Sequence, residues 1–157
     1  MQNLKKLARL MLSEESSSYN DAFKAKFRLV GKKAMKELAC LLGLRTFDIQ
    51  FNPGGIAVSG DLRLMGMWSE GNGVYISMNK DFPSAPYGQI LYRTINHMKD
   101  FTGGPNQWMR YQTLRDPVRL KELICRLRSL SEQTRFSEGG RPVVNVNSGS
   151  LPGCEDP

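Results

Sequence analysis

The sequence has few of the residues that build metal centres. It contains one histidine and three cysteines in 157 residues, and no cysteine pair has CxxC or cysteine–histidine spacing. Zinc sites need such spacings, so the sequence predicts no metal site. It also lacks a P-loop, a dinucleotide-binding glycine pattern, an HExxH motif and a nucleophile elbow, the motifs that mark common phosphate, cofactor and catalytic sites. We therefore expect no cofactor.

Long hydrophobic runs are also missing. No apolar stretch approaches the ~20 residues of a membrane span, and the first residues, MQNLKKLARLMLSEESSS, contain no signal-peptide core. The sequence therefore predicts a cytoplasmic protein with no membrane partner. Its 40% hydrophobic and 24% charged residues are typical of a folded protein. We expect one domain over residues 1–131 and a flexible polar tail over 132–157, where glycine, serine, proline and asparagine become frequent.

Positive charge is in excess and is concentrated near the N-terminus. The chain has 22 lysine and arginine residues against 15 acidic residues, a net charge of +7. Residues 1–43 contain nine cations and four acids and so contribute +5 of that total. This imbalance favours nucleic acid, an anionic surface or an acidic protein as the partner.

Apolar residues at helical spacing predict a short helix over 3–12 and a longer one that ends at Gly43. Asn20 or Asp21 can cap the longer helix. Between residues 24 and 36 this helix has no acid and carries six cations: Lys24, Lys26, Arg28, Lys32, Lys33 and Lys36. Such a row is typical of a solvated helix face, and it also suits contact with phosphates. A last helix is predicted to begin where Asp116 precedes Pro117.

Between these helices the apolar period changes to two, which is typical of half-buried strands. Alternation occurs over 47–51, 56–64 and 74–78, with glycine-rich turns at 52–55 and 70–73. The Asn72-Gly73 pair predicts a type I′ turn. Residues 89–98 fit both periods, and their β-branched and aromatic content favours a strand. The predicted fold is α+β: two N-terminal helices, an antiparallel sheet of four to five strands and a C-terminal helix, in two layers.

One window, YRTINHMKDFTGGPNQW at 92–108, gathers many side chains of functional types. On a strand, Arg93, Ile95 and His97 share one face. Arg93 and His97 could then meet one anionic group. The opposite face carries Tyr92, Thr94 and Asn96. Glycine amides can approach a ligand closely, and a tryptophan provides a stacking plane. The sequence therefore suggests a pocket formed by Tyr92, Arg93, Lys99, Gly103, Gly104, Asn106 and Trp108.

Catalysis in this window would rest on His97, with Arg93 and Asp100. General acid–base chemistry requires a partner within hydrogen-bond reach, and a separation of three residues does not ensure that Asp100 is such a partner. The same residues are typical of a tight loop between a strand and the next element. Structural, binding and catalytic interpretations of the window therefore stay open.

Three segments, SSSYNDAFKAKF, GGIAVSGDLRLMG and LYRTINHMKDFTGGPNQW, resemble a group of small uncharacterised bacterial proteins carried on plasmids and conjugative elements. The resemblance covers roughly residues 12–110. It implies an accessory role for a mobile element in a bacterial cytoplasm, and it transfers no activity and no catalytic residues.

Three functional hypotheses follow. The first is a non-enzymatic accessory protein whose basic helix contacts nucleic acid, with the 92–108 loop helping to position it. The second is a regulator or inhibitor that binds a host protein, for example a defence protein. The third, which has the least support, is an enzyme that acts on nucleic acid through His97, Arg93 and Asp100.

Overall fold

The computed structural model describes residues 1–13, 20–51, 62–78, 90–100 and 103–137. These residues form the predicted α+β fold. Its elements are α1 (Gln2–Met11), α2 (Asp21–Leu42), β1 (Thr46–Phe51), β2 (Leu62–Met67), β3 (Gly73–Met78), β4 (Ile90–Ile95), β5 (Gln107–Met109), a 3-10 helix (Tyr111–Arg115) and α3 (Pro117–Ser137). The predicted turn at 52–55, the alternation over 56–60, the loop at 81–88 and the tail from 138 onward lie outside the described residues.

The helix boundaries follow the capping residues. The Asn20 side chain accepts a hydrogen bond from the Phe23 N–H at 2.8 Å, which begins α2. The chain leaves α2 at Gly43, whose φ of 68° is left-handed. Asp116 Oδ1 accepts the Val118 N–H at 2.9 Å and begins α3. These are the caps that the sequence predicts, since a short side-chain oxygen satisfies first-turn amides. α3 continues to Ser137, past residue 131.

The five strands form one antiparallel sheet in the order β1-β2-β3-β4-β5. Residues 90–95, whose sequence fits both periods, are a strand as predicted. β5 was not singled out by the sequence, because three residues are too few to display a period. It extends the sheet by pairing Leu91 of β4 with Trp108.

The turn between β2 and β3 differs from the predicted type I′ turn. That turn needs a positive φ at Asn72, but among the described residues only glycines have positive φ. Gly71 adopts it instead, at 97°, and the Trp68 N–H donates to the Asn72 carbonyl at 2.8 Å. Gly73 is already in β3, where a Cβ would lie 2.3 Å from the Gly66 carbonyl oxygen.

The sheet has two unlike faces because neighbouring residues of a strand point to opposite sides. One face packs against α2 and α3 and includes Leu64, Ile76 and Tyr92, each at most 2% exposed. The apolar side of α1 joins the same core. The other face carries a smaller apolar cluster centred on Met65, Tyr75 and Ile95. The fold therefore has the two predicted layers, with α2 on the helical side.

The last turn of α2 is anchored to two other elements. The Trp68 indole N–H donates to the Leu42 carbonyl at 2.7 Å, and Arg128 Nε of α3 donates to the same oxygen at 3.3 Å. A helix leaves its last four carbonyls without intrahelical donors, so these side chains satisfy one of them and fix the helix. Trp68 therefore acts as a hydrogen-bond donor in addition to packing against the core.

Candidate nucleic-acid interface

The polar side of α2 is a basic surface facing solvent. Its apolar side, with Phe27, Ala34 and Leu38 at 0–1% exposure, packs into the main core. On the outward side, five of the six predicted cations are exposed: Lys26, Arg28, Lys32, Lys33 and Lys36. The sixth, Lys24, is half-buried, and its Nζ lies 3.4 Å from Asp21 Oδ1. We call the exposed residues 26–36 of α2, with Cys40 one turn beyond, the basic face.

Three lysines form the centre of the basic face. Lys32, Lys33 and Lys36 are exposed, and within the described part of the chain no carboxylate forms an ion pair with them. Lys32 and Lys36 are neighbours one turn apart, and like charges at this spacing destabilise a helix by about 0.2–0.5 kcal/mol. A polyanion bound across them would relieve that repulsion.

The nearest carboxylate, Glu37, is engaged elsewhere. It accepts the backbone N–H groups of Asn3 and Leu4 at 2.8 and 2.9 Å and pairs with the Met1 ammonium group. Partial burial raises the pKa of Glu37, but the Met1 ammonium group and the two N–H donors outweigh it, so the pKa lies below its ordinary value of 4.5. Glu37 therefore caps α1 and does not neutralise Lys33, which lies one turn before it.

One large apolar residue lies among the cations. Leu29 is 63% exposed, on the side of α2 that periodicity assigns to polar residues. Leu29 was not among the residues predicted for this surface, because that prediction depended on charge alone. The signal was available: Leu29 is four residues before Lys33 and seven before Lys36, so it shares their side of the helix. Cys40 is exposed on the same side.

The 92–108 window is divided between the two faces of the sheet. Tyr92 is 2% exposed and belongs to the main core under the helices. Arg93 and Ile95 lie on the opposite face, as the strand alternation predicts, and the Arg93 guanidinium stacks 4.6 Å from the centre of the Tyr75 ring. The fold thus separates Tyr92 from Arg93, which was proposed to share a pocket with it.

The polar groups of the loop after β4 form hydrogen bonds within the loop and with β4. Asp100 is 7% exposed, and its carboxylate accepts the backbone N–H groups of Asn96 at 3.0 Å and Gly103 at 2.6 Å. The Gly104 N–H donates to the Thr94 carbonyl at 2.9 Å. A Cβ on Gly104 would lie 2.3 Å from Thr94 Oγ1. The two glycines therefore allow close approach to β4, and their amides are already hydrogen-bonded.

His97 and the remaining loop residues are at the surface. His97 is exposed, and its Nδ1 accepts the Lys99 N–H at 3.2 Å. In the described residues no hydrogen bond joins His97 to a carboxylate, so the geometry provides no general-acid partner. Lys99 and Asn106 are exposed, and Asn106 Oδ1 accepts Arg93 Nη1 at 3.3 Å. Trp108 is half-buried on β5.

In the part of the chain that the structure describes, no group of three or more His, Cys, Asp or Glu side chains could hold a metal ion. None of the helices in the described ranges combines the length and apolarity needed to cross a bilayer.

Comparison with protein-family models, with curated proteins and with solved structures gives no match.

Proposed function

We propose that the protein binds nucleic acid through the basic face of α2. The role is non-enzymatic, and the resemblance to plasmid-borne proteins suggests an accessory function for a mobile element. The observation that carries this proposal is the centre of the basic face, where Lys32, Lys33 and Lys36 are exposed and the adjacent Glu37 is engaged in capping α1.

The dimensions of the surface suit a phosphate backbone. Its cations, from Lys26 to Lys36, extend about 15 Å along the helix axis at 1.5 Å per residue. A DNA duplex presents one negative charge per ~1.7 Å of axis, so several phosphates lie within reach of these long side chains. Contacts of this kind release condensed counterions and make the affinity fall with salt.

The test is a salt titration of binding to labelled DNA and RNA, single- and double-stranded. If the basic face neutralises four phosphates, raising the salt from about 50 to about 200 mM weakens binding about 150-fold. In a variant with Lys32, Lys33 and Lys36 replaced by glutamine, we expect roughly three quarters of this salt dependence to disappear, since each lysine neutralises about one phosphate.

A matched control carries the same loss of charge elsewhere. Arg110, Arg115 and Arg126 are exposed and lie outside α2. Replacing these three with glutamine lowers the net charge equally, and we expect a much smaller loss of affinity and of salt dependence. Equal losses in the two triple variants would show that total charge, and not the basic face, governs binding. Absence of binding at low salt would contradict the proposal.

A second candidate is a regulator that binds an acidic host protein, such as a defence protein. Leu29 favours it, because an exposed apolar residue ringed by cations resembles the apolar centre and charged rim of protein interfaces. This function predicts co-purification with one bacterial protein and loss of that partner in Leu29→Asp. If the protein binds no nucleic acid and co-purifies with one such partner, the regulator function is correct.

A further inference from the structure

We infer that the ligand of the basic face is B-form duplex DNA, and that α2 lies in its major groove. This inference rests on the proposed function and specifies its substrate. It depends on how the exposed side chains are distributed around α2, in addition to their number.

Four of the five exposed cations flank a central line on the helix, and the fifth, Lys36, lies about 20° from that line. Each residue advances about 100° around the axis, so Lys32 lies about 60° to one side of Leu29 and Lys33 about 40° to the other. Arg28 is on the same side as Lys32, and Lys26 on the same side as Lys33. Between them, the line through Leu29 continues to Cys40, and both residues are exposed.

Two cationic flanks suit two phosphate backbones. The major groove of B-DNA is about 12 Å wide and admits an α-helix, whose diameter with side chains is about 10–12 Å. A helix in this position directs its flanking lysines to the phosphates of opposite strands and its central line to the base edges. Leu29 would then contact the apolar groups in the groove, the thymine methyls.

Other nucleic acids fit the face less well. Binding of single strands relies on exposed aromatic side chains on which bases stack, whereas both aromatic residues of α2, Phe23 and Phe27, are buried. Duplex RNA has a deep, narrow major groove that side chains cannot read. The basic face therefore favours duplex DNA.

The experiment compares a thymine-rich DNA duplex, its separate strands, the duplex RNA of the same sequence and a duplex with uracil in place of thymine. We expect the DNA duplex to bind roughly tenfold more tightly than the single strands or duplex RNA. Replacing thymine with uracil removes only the major-groove methyl groups. We expect this replacement to weaken binding by the wild type and to have no effect on Leu29→Ala.

Variants on the two flanks complete the test. We expect Lys32→Gln and Lys33→Gln each to reduce the slope of log affinity against log salt on duplex DNA by about 0.9. Equal or tighter binding of single strands or duplex RNA would overturn the inference and leave the proposed function standing. An unchanged affinity for the uracil duplex would also overturn it. If the wild-type protein binds none of these nucleic acids, both the inference and the proposed function are wrong.

Discussion

Asp100 and His97 are three residues apart, yet only Asp100 is buried. The Asp100 carboxylate holds two backbone amides of its own loop, whereas the exposed His97 ring accepts one N–H from Lys99. A buried acceptor that is removed leaves its donors unsatisfied. The two residues should therefore differ in their contribution to stability.

We expect Asp100→Ala to lower the free energy of unfolding by about 1–3 kcal/mol, because two part-buried N–H groups lose their acceptor. His97→Ala is the matched control in the same loop, and its effect should stay within about 0.5 kcal/mol. Urea denaturation followed by circular dichroism measures both changes. Equal destabilisation by the two variants would show that Asp100 does not organise the loop.

The residue types in 92–108 could not reveal this difference. A carboxylate, two glycines and two amide side chains are what a ligand site needs, and they are also what a loop needs to satisfy its own backbone. Whether these residues form a ligand site or a self-bonded loop depends on the contact between Gly104 of the loop and Thr94 of the strand before it. Strand alternation did separate Tyr92 from Arg93 correctly, since that pattern is local.

At the scale of elements, α1 depends on α2 for its cap. No side chain of its own N-cap bonds the first turn of α1, and Glu37 of α2 supplies the acceptor across 33–36 positions of sequence. A carboxylate at a helix N-terminus also interacts favourably with the helix dipole. Glu37 thus joins the two N-terminal helices.

Glu37→Gln should therefore destabilise the protein by about 1 kcal/mol at neutral pH, the usual contribution of a cap. Because the folded-state pKa of Glu37 is lowered, its contribution is complete above the ordinary value of 4.5 and is lost as the pH falls through the folded pKa. Thermal unfolding across acidic pH measures this. The difference between wild type and variant should shrink on acidification, and a difference that stays constant would contradict the role of the carboxylate.

The sequence predicts elements well where period and caps agree. α2 and α3 begin at Asn20 and Asp116 because these side chains bond the amides just after them. β5 was not predicted, because its three residues form a strand only by pairing with β4. The cap of α1 was not predicted either, because Glu37 is distant in sequence from the amides that it binds.

At the scale of the whole molecule, the basic face and Arg93 of the 92–108 window lie on different sides of the sheet. α2 lies on the helical side of the sheet, with its cations pointing away from the core. Arg93 lies on the opposite face of the sheet, over Tyr75. The hypothesis that the loop helps to position the basic helix on its ligand therefore stays a prediction without a contact to support it.

The most direct measurement of where nucleic acid binds is the amide chemical shift of every residue during titration with a short DNA duplex. If DNA binds through the basic face, the largest shifts occur along residues 26–40 of α2, and Lys32, Lys33 and Lys36 lie at their centre. Amides of β3 and β4 on the far side of the sheet should change little. Shifts concentrated around Tyr75, Arg93 and Trp108, with α2 unaffected, would contradict the account and assign binding to the other face of the sheet.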